Sequence, residues 1–111
     1  IETKNITRIL EDTDADFLLD MAHAQVAASV LELDVRHYLD GLPLQKVRQI
    51  HVSGVRQKGG ALYDAHEELQ DEDYRLLRWV LKRCYPEVVT LEYFREKDSL
   101  ERQLKCLQEL I

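Results

Sequence analysis

Six side chains suited to hold a metal ion recur along this 111-residue chain: Asp20 and His23 in LLDMAH, His51 in IHVSG, Asp64 and His66 in LYDAH, and Glu92 in TLEY. They take in three of the chain's four histidines. Imidazole nitrogen together with carboxylate oxygen suits Zn, Fe or Mn, and bridging carboxylates hold two or three such ions a few Å apart. In Asp64-x-His66 an extended backbone points both side chains the same way, toward one ion or two adjacent ones. Glu92 lies in an apolar run, where an unpaired carboxylate is costly and calls for a cation or strong donors. Plainer roles stand beside these. Asp20 alone reads as a helix cap, and His23, at the start of a small apolar helix, as a satisfied buried histidine. His37, in VRHYLD, reads as a surface or packing residue. Arg56 and Lys58, beside Gly59 and Gly60, are candidate contacts for an anionic substrate or residues of a solvated loop. No residue is assigned a catalytic role.

The elements that would position these groups alternate between helix and strand. A first helix carries Ile6, Ile9 and Leu10 on one face after the candidate cap Thr3, and Phe17 to Leu19 form a short buried strand ending at Asp20. Residues 22 to 33 form a small-residue helix, and Asp34 caps a shorter one that stops at Gly41 and Pro43. Val47, Ile50 and Val52 supply β-branched bulk for a second strand with His51 at its end, and a glycine-rich loop follows. Asp71 can cap a helix in which Tyr74, Leu77, Val80, Leu81 and Cys84 share a face. A third strand spans Val88 to Tyr93. Asp98 and Glu101 then form a capping pair for a last helix lined by Leu100, Leu104, Leu107 and Ile111. This α-β-α-β-α-β-α order predicts an α/β fold of parallel β/α units, whose C-terminal strand ends gather on one rim. About three such strands cannot close a barrel, so the chain is expected to be part of a larger (β/α)8 TIM barrel, an assembly of copies, or a small open sheet.

Composition narrows the partners. With 45% apolar residues the chain can bury one core of moderate size, and its formal charge of -6 disfavours nucleic acid and anionic membranes. No apolar run has the roughly 20 residues a bilayer requires, and IETKNITRIL lacks a signal-peptide core, so a cytoplasmic setting is expected. Cys84 and Cys106 make no CxxC motif and read as reduced packing cysteines. The absence of Met at residue 1 points to a longer protein.

The ordered set Asp20-x-x-His23, His51, Asp64-x-His66, Glu92 resembles the metal-ligand series of the xylose-isomerase-like barrel superfamily, which includes apurinic endonucleases. Within it, FLLDMAHAQVAAS, YLDGLPLQKVRQIHVSG, LYDAHEELQDEDYRLL and VVTLEYF are most similar to the multinuclear non-haem iron-dependent oxidative enzymes, long filed as a domain of unknown function. The resemblance covers nearly the whole chain and the C-terminal part of that family's domain. It implies that residues 1–111 are a single partial TIM-barrel domain, that the complete barrel holds two or three iron ions, and that it oxidises cysteine-containing peptides with O2, often with a partner protein. It places His23 where the family has Asn or His, His51 at the head of the HxxG segment, Asp64 and His66 in the DxH, and Glu92 as the last-strand ligand; in some relatives the position of Asp20 supports a ligand rather than binding metal itself. Many relatives have a further histidine where this chain has Val55 and an aspartate where it has Phe94. Their N-terminal strands carry further His and Glu ligands; Glu2 is a candidate for a remnant of an earlier acidic position. The isolated chain is expected to be weak or inactive, with the missing strands supplied by the same gene, another chain or a homo-oligomer. The same site in other superfamily members implies metal-dependent phosphoester hydrolysis or sugar isomerisation. A non-catalytic assembly module, with these residues as caps, is the reading from another class.

Overall fold

The structure is a computed structural model and describes residues 17–111. The helix expected around Ile6, Ile9 and Leu10, its cap Thr3, and Glu2 lie outside the described residues. The strands and helices in order are β1 (Phe17–Asp20), α1 (Met21–Val30), α2 (Val35–Asp40), β2 (Val47–Val52), β3 (Gly54–Lys58), β4 (Ala61–Glu67), α3 (Asp71–Leu81), β5 (Val88–Leu91) and α4 (Lys97–Leu110). A 3-10 turn, Leu44–Lys46, leads into β2. The fold is α/β: β1, β2 and β5 form a parallel sheet in that order, connected through helices, which is the arrangement of consecutive units of a TIM barrel.

Register decides which side chains share a face. Leu18, Gln49 and Val88 stand opposite one another across the sheet, and one row further Leu19, Ile50 and Val89 do so. Strand alternation sends the two rows to opposite faces. The Leu19–Ile50 face belongs to the core, where Leu39, Val47, Val52, Leu76, Leu77 and Val80 are also buried. The other face is open, with Leu18 45% and Val88 49% exposed. β1, expected to be buried, is therefore covered on one side only.

The loop expected after His51 is instead an antiparallel hairpin of β3 and β4. Its two-residue turn is Gly59-Gly60, both at positive φ (60° and 81°), the conformation that matches the twist of paired strands and that glycine adopts at least cost. Gly54 has a different reason to be glycine. A Cβ there would collide with the carbonyl oxygens of Glu67 and Glu68, so only a bare backbone lets β4 return so close to the end of β2.

The helices follow from caps and small residues. The Asp20 side chain accepts from the His23 amide at 3.0 Å and opens α1, whose buried Ala22, Ala24 and Ala28 allow it to lie close against β4. Asp34 caps α2 as expected, through the amides of Arg36 and His37. The cap of α3 falls one residue earlier than expected. Gln70 is the N-cap rather than Asp71, because Asp73 Oδ2 accepts from the Gln70 amide at 2.8 Å while its Oδ1 accepts from Gln25 of α1.

The last helix starts from Glu96 and is rotated from the expected face. Ser99, Gln103 and Leu107 are buried, whereas Leu104 and Ile111 are exposed. The reason is the polar backbone that leaves the hairpin. Gln103 Oε1 accepts from the Leu69 amide at 2.9 Å, its Nε2 donates to Ser99 Oγ, and Ser99 Oγ donates to Glu68 Oε1 at 2.6 Å. Buried amides need such partners, and the helix turns to supply them. Cys84 is buried, and burial pushes its thiol up, but Cys106 is exposed on α4 rather than a packing residue. Among the described residues no helix is long and apolar enough to cross a membrane.

Candidate metal centre

The register that leaves one sheet face open also carries the candidate ligands to it. Asp20 pairs with His51, and both lie two residues beyond the exposed Leu18–Gln49 row, on the same side. Glu92 follows β5, and its amide donates to the carbonyl of Val52, so the chain is still held against β2 where the carboxylate projects. The three strand ends thus gather Asp20, His51 and Glu92 so that one donor atom from each lies within 4.8 Å of the others.

A second group, Asp20, His23 and Asp64, meets the same limit. Asp20 belongs to both. Its other neighbour in the second group is reached from α1: His23 Nδ1 is 3.5 Å from Asp20 Oδ2, and His23 Nε2 is 3.8 Å from Asp64 Oδ2. His51 Nδ1 stands 3.7 Å from Glu92 Oε1. These gaps are too long for hydrogen bonds, yet a cation with bonds of about 2.1 Å to each side spans them. Glu92 Oε1 is buried and has no hydrogen-bond partner, the state of a carboxylate oxygen left for a cation. His23 is not a buried histidine: its side chain is 72% exposed, so no packing role accounts for it.

The hairpin delivers Asp64 and His66 by a different device. Pairing runs from Val55–Asp64 directly to Gly54–Glu67, which leaves Ala65 and His66 unpaired in a bulge, and His66 sits at φ 50°. The expected extended i, i+2 alternation therefore does not hold. His66 is turned toward Asp64 by a left-handed residue in a bulge, a conformation that is uphill for histidine and common beside functional sites. His66 Nε2 lies 3.7 Å from Asp64 Oδ2, and the Phe94 ring stands beside the imidazole at a centroid distance of 6.1 Å.

Ser53, which the sequence marked only as the end of a strand, is 1% exposed and touches both hairpin ligands: its Oγ is 2.7 Å from Asp64 Oδ1 and 3.1 Å from His66 Nδ1. The available signal was its spacing, two residues after His51 on the face that carries the ligands. Arg56 donates to the carbonyls of Val55 and Glu68 and so ties the hairpin to the segment that follows it, and Lys58 is exposed beside the hairpin turn. His37 is exposed on α2. A cavity of about 230 Å³ opens beside the rim, with Leu18, Asp20, His23, Tyr38 and Leu42 in its lining.

Fold and rim together define an α/β protein of parallel β/α units, compatible with part of a TIM barrel, with a cluster of candidate metal ligands at one rim. A family model described as "RiPP precursor modification enzyme MbnB/TglH/ChrH" matches residues 1–110, and the chain belongs to that family. It is similar to a UPF0276 protein of Acaryochloris marina, 28% identical over 101 residues that make up 90% of this chain and 37% of the relative. A UPF0276 protein of Paraburkholderia phytofirmans is 29% identical over 98 residues, 83% of this chain and 32% of the relative. A third, from Chromobacterium violaceum, is 28% identical over 93 residues, 83% of this chain and 34% of the relative. The chain spans about a third of the length of the curated relatives it matches.

Proposed function

We propose that this chain is a single partial barrel domain contributing a multinuclear iron site to an enzyme that modifies a ribosomally made precursor peptide, by O2-dependent oxidation at a thiol. The carrying observation is that Asp20 belongs to both donor groups, the position of a carboxylate between two neighbouring ions. The family description supports a peptide substrate, and a partner protein that presents the peptide is part of the same proposal, from the sequence resemblance alone. Iron held there would bind and activate O2. The residues of the chain do the rest. His51 and Glu92 would hold one position and His23 and Asp64 the next, with the parallel strand ends, α1 and the hairpin setting their spacing.

Asp20→Asn separates ligand from cap, because asparagine caps a helix about as well as aspartate while removing the charge. The variant is expected to keep the wild-type unfolding free energy within about 0.5 kcal/mol and to lose iron taken up on anaerobic Fe(II) reconstitution, read by metal analysis. Undiminished iron in Asp20→Asn would count against the shared carboxylate. In a protein that also supplies the remaining barrel strands, Fe(II) and a cysteine-containing peptide should give O2 consumption; hydrolysis without O2 uptake would remove the oxidative reading.

A further inference from the structure

The geometry assigns to Ser53 a positioning role: its hydroxyl fixes His66 with the proton on Nδ1, so that a bare Nε2 is left facing Asp64 Oδ2 as a further metal ligand. This rests on the metal reading above and adds a residue to it.

A serine hydroxyl carries one hydrogen and a carboxylate oxygen only accepts. The 2.7 Å contact to Asp64 Oδ1 has the length of a hydroxyl bonded to a carboxylate, so the hydrogen is used there. At 3.1 Å from His66 Nδ1, Ser53 Oγ has only lone pairs left, and the imidazole must be the donor. Protonated at Nδ1, a neutral ring has its lone pair at Nε2. That is the nitrogen 3.7 Å from Asp64 Oδ2.

The same bond sorts the two oxygens of Asp64. Oδ1 accepts from Ser53 and, at 3.4 Å, from the His66 amide, whereas Oδ2 is the atom that faces His23 Nε2 and His66 Nε2 at 3.8 and 3.7 Å. His23 Nε2 and His66 Nε2 thus each face Oδ2, although His66 falls outside the two donor groups described above, and the hydroxyl holds the other side of Asp64. Ser53 is buried at the end of β2, next to the Gly54 at which β4 returns. It also supports His66 in its left-handed backbone, for which the bulge alone offers no partner to the ring. A hydrogen bond that orients a metal-binding imidazole from its far nitrogen changes metal affinity by about 10- to 100-fold.

The test reads the ring before it reads the metal. Long-range proton–nitrogen spectra of the metal-free, 15N-labelled chain are expected to show His66 protonated at Nδ1 in the wild type and a mixture of tautomers in Ser53→Ala. A wild-type His66 protonated at Nε2 overturns the assignment, and this result needs no variant to fold. Titration with cobalt(II) alone, followed by its visible absorption, is expected to show binding at least about tenfold weaker in Ser53→Ala, with the unfolding midpoint and amide spectrum retained. Equal cobalt affinity in the two proteins overturns the role of Ser53 and leaves the shared Asp20 intact. Absence of cobalt binding in the wild type overturns both readings.

Discussion

The two halves of the rim are built by opposite means. Asp20, His51 and Glu92 stand at the ends of three hydrogen-bonded parallel strands, where register alone makes them neighbours and the backbone is ordinary. Asp64 and His66 come from a hairpin that must return close to its own origin, through a glycine that admits no Cβ, a bulge, a left-handed histidine and a buried serine. The parallel half is fixed by elements the core needs in any case. The hairpin half spends conformational energy on placing two side chains, which is how local strain is usually distributed between scaffold and site. Its exit is then pinned to α4 by the Ser99–Gln103 chain of hydrogen bonds, so the strained segment is held from both ends.

Breaking the hairpin half at its crossing should have the largest effect. Gly54→Ala puts a methyl group into backbone oxygens that have no side-chain freedom to yield, and the expected loss is about 3 kcal/mol in denaturant unfolding. A variant with wild-type stability would show that the close approach can relax. In the parallel half, Glu92→Gln removes the charge of a carboxylate with one buried, unpartnered oxygen while keeping its shape. The metal-free protein should gain about 1 kcal/mol and bind cobalt(II) more weakly, two changes of opposite sign measured in the same variant. Loss of stability instead would mean that the carboxylate is satisfied in the metal-free fold.

His66→Asn sharpens the contrast. Asparagine tolerates left-handed backbone better than histidine, so unfolding of the metal-free protein should become harder by about 0.5 kcal/mol, again with weaker cobalt binding. The corresponding His51 replacement relieves no backbone strain, since His51 lies inside a regular strand, and should give no such gain.

The smallest effect concerns pH and lies outside the rim. Burial raises the Asp73 carboxyl above its ordinary 3.8, against the lowering effect of its bonds from the Gln70 amide and Gln25. The folded state then holds this proton more tightly than the unfolded chain, so stability attributable to Asp73 falls as pH rises from 3.8 through the folded value. Asp73→Asn should flatten that part of the stability–pH curve, measured by unfolding between pH 3 and 7, with asparagine oxygen still available to the Gln70 amide. An unchanged slope would assign it to another group.

Residue types and periodicity were enough for much of this. The β-branched run of β2, Asp34 as a cap, the α/β alternation and the order of the candidate ligands were all legible, because caps, strand propensity and turn residues act over a few residues. Asp71 as cap, and Leu104 and Ile111 as buried residues, were misread for the converse reason. Each depends on a partner far along the chain: Gln25 for Asp73, and Glu68 and Leu69 for Ser99 and Gln103. Apolar spacing marks a stripe on α4 but says nothing about which polar atoms must be met on arrival.

At the site itself, the sequence determined which atoms are present: imidazole nitrogens and carboxylate oxygens in a given order, glycines where a turn was needed, and a serine with no evident purpose. Tertiary structure decided how they are grouped. Only the parallel register sets Asp20 against His51, and only the hairpin crossing over Gly54 brings Asp64 and His66 to Ser53. Distances between residues tens of positions apart depend on how the intervening chain packs, and composition and spacing carry no record of that.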